Sequence, residues 1–214
     1  MGLRAVAFDF NGTLSRDEPI LCEIFMALFA EQGEPLSAQE YFEQLAGLSD
    51  PEIVKTWLGR DHPAVDEVIA ERIRRYRATV ADGSTVPAEI RAAVRYAAAR
   101  VPVGVVTGAA RAEVTFVLAA AGLADCVSVI VAAEDVERGK PDPDGYEAAH
   151  KLLGEDLDAG DVLAVEDTEA GVASAKTAGL RCIAVLGTLA PDRLAAADEI
   201  VERVDVDLMK RLLP

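Results

Sequence analysis

Short runs of apolar residues alternate along this chain with longer stretches in which apolar residues recur every three or four positions. The short runs are rich in valine, isoleucine and alanine, which predicts buried strands. They are Leu3–Phe8, Val103–Thr107, Val127–Val131, Val162–Val165 and Cys182–Leu186. The longer stretches predict helices near 88–100, 111–121, 143–153 and 169–178. Continuously apolar strands separated by helices are typical of an α/β fold with a parallel sheet covered on both faces.

Residues 16–82 interrupt this alternation, because they contain no strand run. Helical spacing of apolar residues is found in Ile20–Ala30, Gln39–Ala46, Pro51–Trp57 and Ala64–Val80. Asp82-Gly83-Ser84 closes the stretch as a flexible return. A helical insertion directly after the first strand predicts a cap over the strand tips, with a core formed by 1–15 and 83–214. A helical subdomain that only adds core is the alternative.

The charge of the chain narrows the classes of partner. Among 214 residues the formal net charge is −16 and the pI is near 4.5. A surface this acidic repels nucleic acid and anionic membranes, so we expect neither as a partner. It repels a phosphorylated substrate as well, so a phosphate site needs a local cationic cluster or a metal. The three cysteines are far apart and the N-terminus lacks a signal-peptide core, which favours a cytoplasmic protein, and we expect a monomer.

Polar residues follow four of the predicted strands. They are Asp9 and Asn11 after the first, Thr107 and Gly108 after the second, Lys140 after the third, and Glu166 and Asp167 after the fourth. In a doubly wound sheet these tips converge on one crevice. The three carboxylates would repel each other there, and a hard divalent cation, Mg²⁺, resolves that repulsion. Such a site suits a phosphoryl group that Asp9 attacks to form an aspartyl-phosphate, which water then hydrolyses.

The segments DFNGTL, VVTG, GKPDP and EDTEAGVASAKTAG, in this order, resemble the motifs of the haloacid dehalogenase superfamily. The resemblance implies a Rossmann-like core with an inserted α-helical cap, and a hydrolase acting on a small phosphorylated metabolite. It implies that Asp9 is the nucleophile and that Lys140 orders it together with the phosphate. Thr107 and Gly108 would contact the phosphate. Mg²⁺ would be held by Asp9, the Asn11 backbone carbonyl, Asp167 and Glu166.

The cap segment Gly47-Leu48-Ser49 resembles the substrate-reading loop of the phosphoglycolate-phosphatase and β-phosphoglucomutase branch. A plain turn between helices is the alternative interpretation of this segment. Other polar cap residues that could contact a substrate are expected at the surface. They are Glu18, Ser49, Lys55 and Arg60.

Position 11 departs from the superfamily, whose phosphatases carry an aspartate there as the proton-transfer group. The amide of Asn11 can neither protonate a leaving oxygen nor activate water. Positioned acid–base catalysis contributes about 10²–10⁴-fold, so we expect slow hydrolysis and accumulation of the aspartyl-phosphate.

Three other functions remain open. A non-catalytic protein that binds phosphate or a metabolite would tolerate Asn11. A phosphonatase would need a cap lysine, and Lys55 is the only lysine in 16–82. A dehalogenase of haloacids would need no metal and would use Thr13 and Lys140.

Overall fold

The computed structural model describes residues 2–213. Six parallel strands form one sheet in the order β3-β2-β1-β4-β5-β6. The strands are β1 Ala5–Phe8, β2 Val103–Val106, β3 Val129–Val131, β4 Val162–Glu166, β5 Arg181–Val185 and β6 Glu199–Val201. The chain first builds the sheet outward from β1 to β3 and then returns to add β4 on the other side of β1. The strand order reverses at β1 and β4, which is where ligands bind in doubly wound sheets.

The core helices follow the strands. They are α5 Ala88–Ala98, α6 Arg111–Ala120, α7 Asp144–Leu153, α8 Glu169–Thr177 and α9 Val206–Leu212. Strand β1 shows how the two faces are filled, because its side chains alternate between them. Val6 and Phe8 pack in the cluster that contains residues of α5, α6 and α9, whereas Ala5 and Ala7 pack in the cluster that contains α7 and α8. The sheet is therefore covered on both faces, as its apolar strands predict.

Between β1 and α5 the described chain contains helices and no strand. They are α1 Glu18–Glu31, α2 Ala38–Glu40, which continues as a π-helix over Tyr41–Leu45, α3 Asp50–Leu58 and α4 Val65–Thr79. Aromatic rings hold α1 to α3 together: the Phe25 centroid lies 6.1 Å from that of Tyr41, and the Phe29 centroid lies 6.2 Å from that of Trp57. The boundaries 16 and 82 for a cap remain a prediction.

The predicted strands and helices are all present, with ends that differ by a few residues. β1 begins at Ala5 rather than Leu3, and β3 begins at Val129 rather than Val127. The edge strand β6 and the helix α9 were not predicted. Among residues 2–213, no helix combines the length and the apolar character that crossing a membrane requires.

Candidate active site

Asp9 directly follows β1, at the carboxyl end of the sheet, and the chain then turns back sharply. The N–H groups of Leu14 and Ser15 both donate to the carbonyl of Phe10 at 2.9 Å, and the Gly12 N–H donates to the Ser15 carbonyl at 2.7 Å. Gly12 has a φ of +81°, a left-handed conformation that glycine adopts without strain. The turn therefore holds Asp9 and Asn11 at the carboxyl end of the sheet.

Lys140 joins two of the three acidic residues. Its ammonium donates to Asp9 Oδ1 at 2.5 Å, to Glu166 Oε1 at 2.6 Å and to the Val106 carbonyl at 3.0 Å. Glu166 is completely buried and also accepts the Tyr146 hydroxyl at 2.7 Å. Glu166, which does not line the cavity, therefore holds Lys140 in place, whereas Asp9 lines the cavity.

Asp167 completes the acidic cluster. One carboxylate oxygen each from Asp9, Glu166 and Asp167 lie within 4.8 Å of one another. Asp167 accepts hydrogen bonds from the hydroxyl of Thr13 at 3.1 Å and from that of Thr188. A Cβ on residue 12 would collide with the Asp167 carboxylate, so Gly12 leaves the space that this carboxylate occupies. The site thus contains three buried carboxylates and one lysine. Such an oxygen-rich, negatively charged site suits Mg²⁺.

Burial sets the protonation of this cluster. It raises the pKa of Asp9 to about 7, although the Lys140 charge acts in the opposite direction. Burial and the neighbouring charges of Asp9 and Glu166 raise the pKa of Asp167 well above its usual range. For Lys140, burial would lower the pKa, but Asp9 and Glu166 outweigh it and raise it. A cation bound among these oxygens would favour the ionised carboxylates.

Thr107 and Gly108 line the same cavity, and the loop Gly47-Leu48-Ser49 lies against them. A Cβ on Gly108 would lie 3.0 Å from Ser49 Cα, and one on Gly47 would lie 2.7 Å from Thr168 Oγ1. The Ser49 hydroxyl donates to Glu52 at 2.7 Å, which closes the first turn of α3. The segment Gly47-Leu48-Ser49 is therefore packed onto the strand tips, and its role in reading a substrate stays a prediction.

Asn11 has a partner that the sequence did not reveal. Its amide donates to Asp17 Oδ2 at 3.1 Å, and the Tyr76 hydroxyl donates to the same oxygen. Asp17 is completely buried, and burial raises its pKa. The turn after β1 folds residues 11 and 17 together, a contact without a signal in linear spacing.

Buried charged residues of the helical insertion also line the cavity. Glu18, expected at the surface, is 6% exposed and lines the cavity. Arg72 of α4 pairs with Asp50 of α3 at 3.3 Å and with Glu113 of the core helix α6. The sequence contained one indication that Arg72 is buried. It lies on the same face of α4 as the apolar residues Val65, Val68 and Tyr76.

The cavity around Asp9 is small, with a free volume of about 40 Å³, room for a few water molecules. A second cleft of about 300 Å³ adjoins it and shares Gly47, Thr107, Gly108 and Lys140 with it. Lys55 and Arg60 line this outer cleft and not the inner cavity. The inner cavity suits a phosphoryl group, and the outer cleft has room for the rest of a small molecule.

Comparisons with known proteins agree with this geometry. The family model described as haloacid dehalogenase-like hydrolase matches residues 6–185. The chain is 30% identical over 214 residues to validoxylamine A 7'-phosphate phosphatase of Streptomyces hygroscopicus subsp. limoneus, covering 93% of each protein. It is 31% identical over 190 residues to a phosphoglycolate phosphatase of Yersinia pseudotuberculosis, covering 85% of this chain and 80% of that protein.

A solved structure shares the fold over nearly the whole chain. It is a variant of CbbY from Rhodobacter sphaeroides in complex with xylulose-1,5-bisphosphate, with a TM-score of 0.83, 27% identity, and coverage of 94% of this chain and 95% of that one. The chain thus belongs to the haloacid dehalogenase-like hydrolases, as an enzyme of their phosphoglycolate-phosphatase and β-phosphoglucomutase-like branch.

Proposed function

We propose that this enzyme is a Mg²⁺-dependent phosphatase for a small phosphorylated metabolite, with Asp9 as its nucleophile. The observation that carries the proposal is the salt bridge of 2.5 Å between Asp9 and Lys140, which both line the cavity. Lys140 holds the carboxylate in place and offers a positive charge to an incoming phosphoryl group. Thr107 and Gly108 line the same cavity, where the Thr107 hydroxyl and the Gly108 N–H would hold phosphate oxygens.

In the proposed reaction, Asp9 attacks phosphorus in line with the leaving oxygen and becomes an aspartyl-phosphate. Water then hydrolyses this intermediate and regenerates Asp9. Asp9, Asp167 and the Asn11 backbone carbonyl would hold Mg²⁺, with Glu166 behind them. When bound, the ion supplies positive charge that neutralises the phosphoryl oxygens. Asn11 cannot transfer a proton, so the reaction would be slow without another proton-transfer group.

The substrate class follows from the two connected spaces and from the relatives. The inner cavity accommodates the phosphoryl group and the outer cleft the remainder of a small molecule, whereas a macromolecule would not fit beneath the cap loop. The relatives are named for validoxylamine A 7'-phosphate and for phosphoglycolate. We infer that the protein is cytoplasmic and monomeric, which its three free cysteines support. Among residues 2–213, only Phe116 and Leu152 are large exposed apolar residues, which also supports a monomer.

The test is Mg²⁺-dependent release of p-nitrophenol from p-nitrophenyl phosphate. The unmodified protein is expected to turn over slowly and to yield an aspartyl-phosphate at Asp9 after acid quenching and borohydride trapping. Asp9→Asn should abolish both signals, whereas the exposed control Asp66→Asn should change neither.

A binding protein without activity is the second candidate, favoured by the amide at position 11. It predicts that inorganic phosphate binds in calorimetry while no ester is hydrolysed. It also predicts no hydrolysis by the double variant Asn11→Asp/Asp17→Asn, which supplies the missing carboxyl. That combination of results would replace the phosphatase proposal.

A further inference from the structure

Glu18 is a buried carboxyl that faces the site and has no role in the reaction described above. It is the first residue of α1, 6% exposed, and lines the cavity together with Asp9 and Asn11. Its Oε2 atom is buried and makes no hydrogen bond within residues 2–213. A buried polar atom without a partner destabilises the fold, so an unbonded carboxyl oxygen beside the cavity indicates a function.

The surroundings of Glu18 favour the neutral acid. Burial, with the negative charge of Asp17 and Asp9, raises its pKa to about 8. The cation that opposes this shift is Arg72, which is already paired with Asp50 and Glu113. The ionisable groups around Glu18 are Asp9 of the β1 tip, Asp17, Cys22 of α1, Tyr41, Asp50 of α3, Arg72 of α4 and Asp167 of the β4 tip. Glu18 is therefore mostly a carboxylic acid at neutral pH.

The other carboxyls close to the cavity are already engaged. Asp9 and Asp167 belong to the acidic cluster, and Asp50 forms a salt bridge with Arg72. Asp17 accepts the Asn11 amide and does not line the cavity. Among the residues that line the cavity, Glu18 is the carboxyl with a buried oxygen left unbonded.

We propose that Glu18 is the proton-transfer residue of this hydrolase, acting where Asn11 cannot; the inference rests on the proposed function. In the first step the Asp9 oxygen bonds to phosphorus as the bond from phosphorus to the leaving oxygen breaks, and the Glu18 O–H gives its proton to that oxygen. In the second step a water oxygen bonds to phosphorus as the bond to Asp9 breaks, and the Glu18 carboxylate takes the proton of that water. Glu18 is then an acid again, and phosphate and alcohol are the products.

The test compares two esters of similar size, p-nitrophenyl phosphate and phenyl phosphate, at saturating Mg²⁺. Nitrophenolate leaves without a proton, whereas phenolate leaves more easily with one. Glu18→Gln is expected to lower kcat/KM for phenyl phosphate by about 10²-fold or more and to change it little for p-nitrophenyl phosphate. The variant should also show a burst of one nitrophenol per enzyme, because the second step is slowed too.

The unmodified protein gives a readout that does not depend on the variant. Its kcat/KM for phenyl phosphate should fall on the basic side, as the pH rises through the raised pKa of Glu18, which bound Mg²⁺ lowers from its metal-free value of about 8. This fall in kcat/KM at high pH should be absent with the p-nitrophenyl ester. It should also be absent in Glu18→Gln with either ester. In the double variant Asn11→Asp/Asp17→Asn, adding Glu18→Gln should have a much smaller effect, since a second carboxyl is present.

The matched control is Glu23→Gln, an exposed position on the same helix, which should behave like the unmodified protein. The proposal is overturned if Glu18→Gln lowers kcat/KM equally for both esters or for neither. It is also overturned if kcat/KM falls at high pH in the same way for both esters. A failure of the proposed function looks different, because then no variant hydrolyses either ester and no aspartyl-phosphate is trapped.

Discussion

The side-chain amide of Asn11 donates a hydrogen bond of 3.1 Å to the buried carboxylate of Asp17. The amide at position 11 and the acid at position 17 are thus a matched donor and acceptor. An aspartate at position 11 would instead set two carboxyls against each other, and such a pair holds one proton between them. The unusual residue of the first motif therefore has a structural partner.

This pairing predicts that Asn11→Asp destabilises the protein unless Asp17 changes with it. We expect the free energy of unfolding to fall by about 1–3 kcal/mol, more at pH 8 than at pH 5, because the two carboxyls bind an extra proton in the folded state. Adding Asp17→Asn reverses the direction of the hydrogen bond and should recover most of the loss. Urea unfolding of the two single variants and the double variant measures this coupling. Equal stability of Asn11→Asp and the unmodified protein would contradict it.

A second prediction concerns the space that Gly12 leaves for Asp167. Gly12→Ala places a Cβ against that carboxylate, whereas Gly33→Ala has the same kind of backbone, with a φ of +83°, and open space around it. In both variants the free energy of unfolding should fall by about 1 kcal/mol, because alanine is strained in the left-handed conformation. Only Gly12→Ala should lose more than this and also weaken Mg²⁺ binding in calorimetry. Similar losses in both variants would show that the contact with Asp167 is unimportant.

A third prediction concerns the charge of Lys140. Lys140→Met leaves Asp9 and Glu166 buried without their cation, which costs about 3–5 kcal/mol. The loss should shrink at low pH, where the carboxyls are protonated, and on adding Mg²⁺. The control is Lys176→Met, whose salt bridge with Asp198 is about a third exposed and contributes about 0–1 kcal/mol. Denaturant unfolding at pH 5 and 8 checks both, and a loss independent of pH would count against the charge explanation.

The raised pKa values predict how stability varies with pH. Burial raises the pKa of Asp9 and of Glu113 to about 7 and that of Glu18 to about 8. The folded state therefore binds more protons than the unfolded state between about pH 4 and 8, so stability falls as the pH rises through this window. Each group lowers the free energy of unfolding by up to about 1.4 kcal/mol for each pH unit in this window. Metal-free protein should melt at a lower temperature at pH 8 than at pH 5, and Glu18→Gln should reduce that difference.

The central part of the fold was predictable because its strands are buried on both faces. Runs such as Val162–Glu166 are apolar until the tip, so they stand out from the helices around them. The edge strand β6 lacks this signal, since its three residues begin with Glu199 and are only partly buried. Its strand character depends on pairing with β5 rather than on its own composition. The first motif and the residues of the other three tips could be found because each directly follows a strand or its loop.

The cap side of the site was not predictable in the same way. Glu18 at the start of a helix is typical of a solvated residue that interacts with the helix dipole, but here it lies in a cavity lining that also includes Tyr41 and Arg72, and it is buried. Likewise, Asp17 becomes the partner of Asn11 only because the turn at Gly12 reverses the chain. Both contacts depend on tertiary structure, which a linear pattern does not contain.

The ion pair between Arg72 of α4 and Glu113 of α6 links the helical insertion to the core. Burying two charges costs nearly as much as their attraction returns, so water can replace the pair at little net cost when the two parts separate. The pair is thus expected to add little net stability and to fix the orientation of α4 against α6, so the surrounding apolar contacts supply most of the adhesion between the insertion and the core.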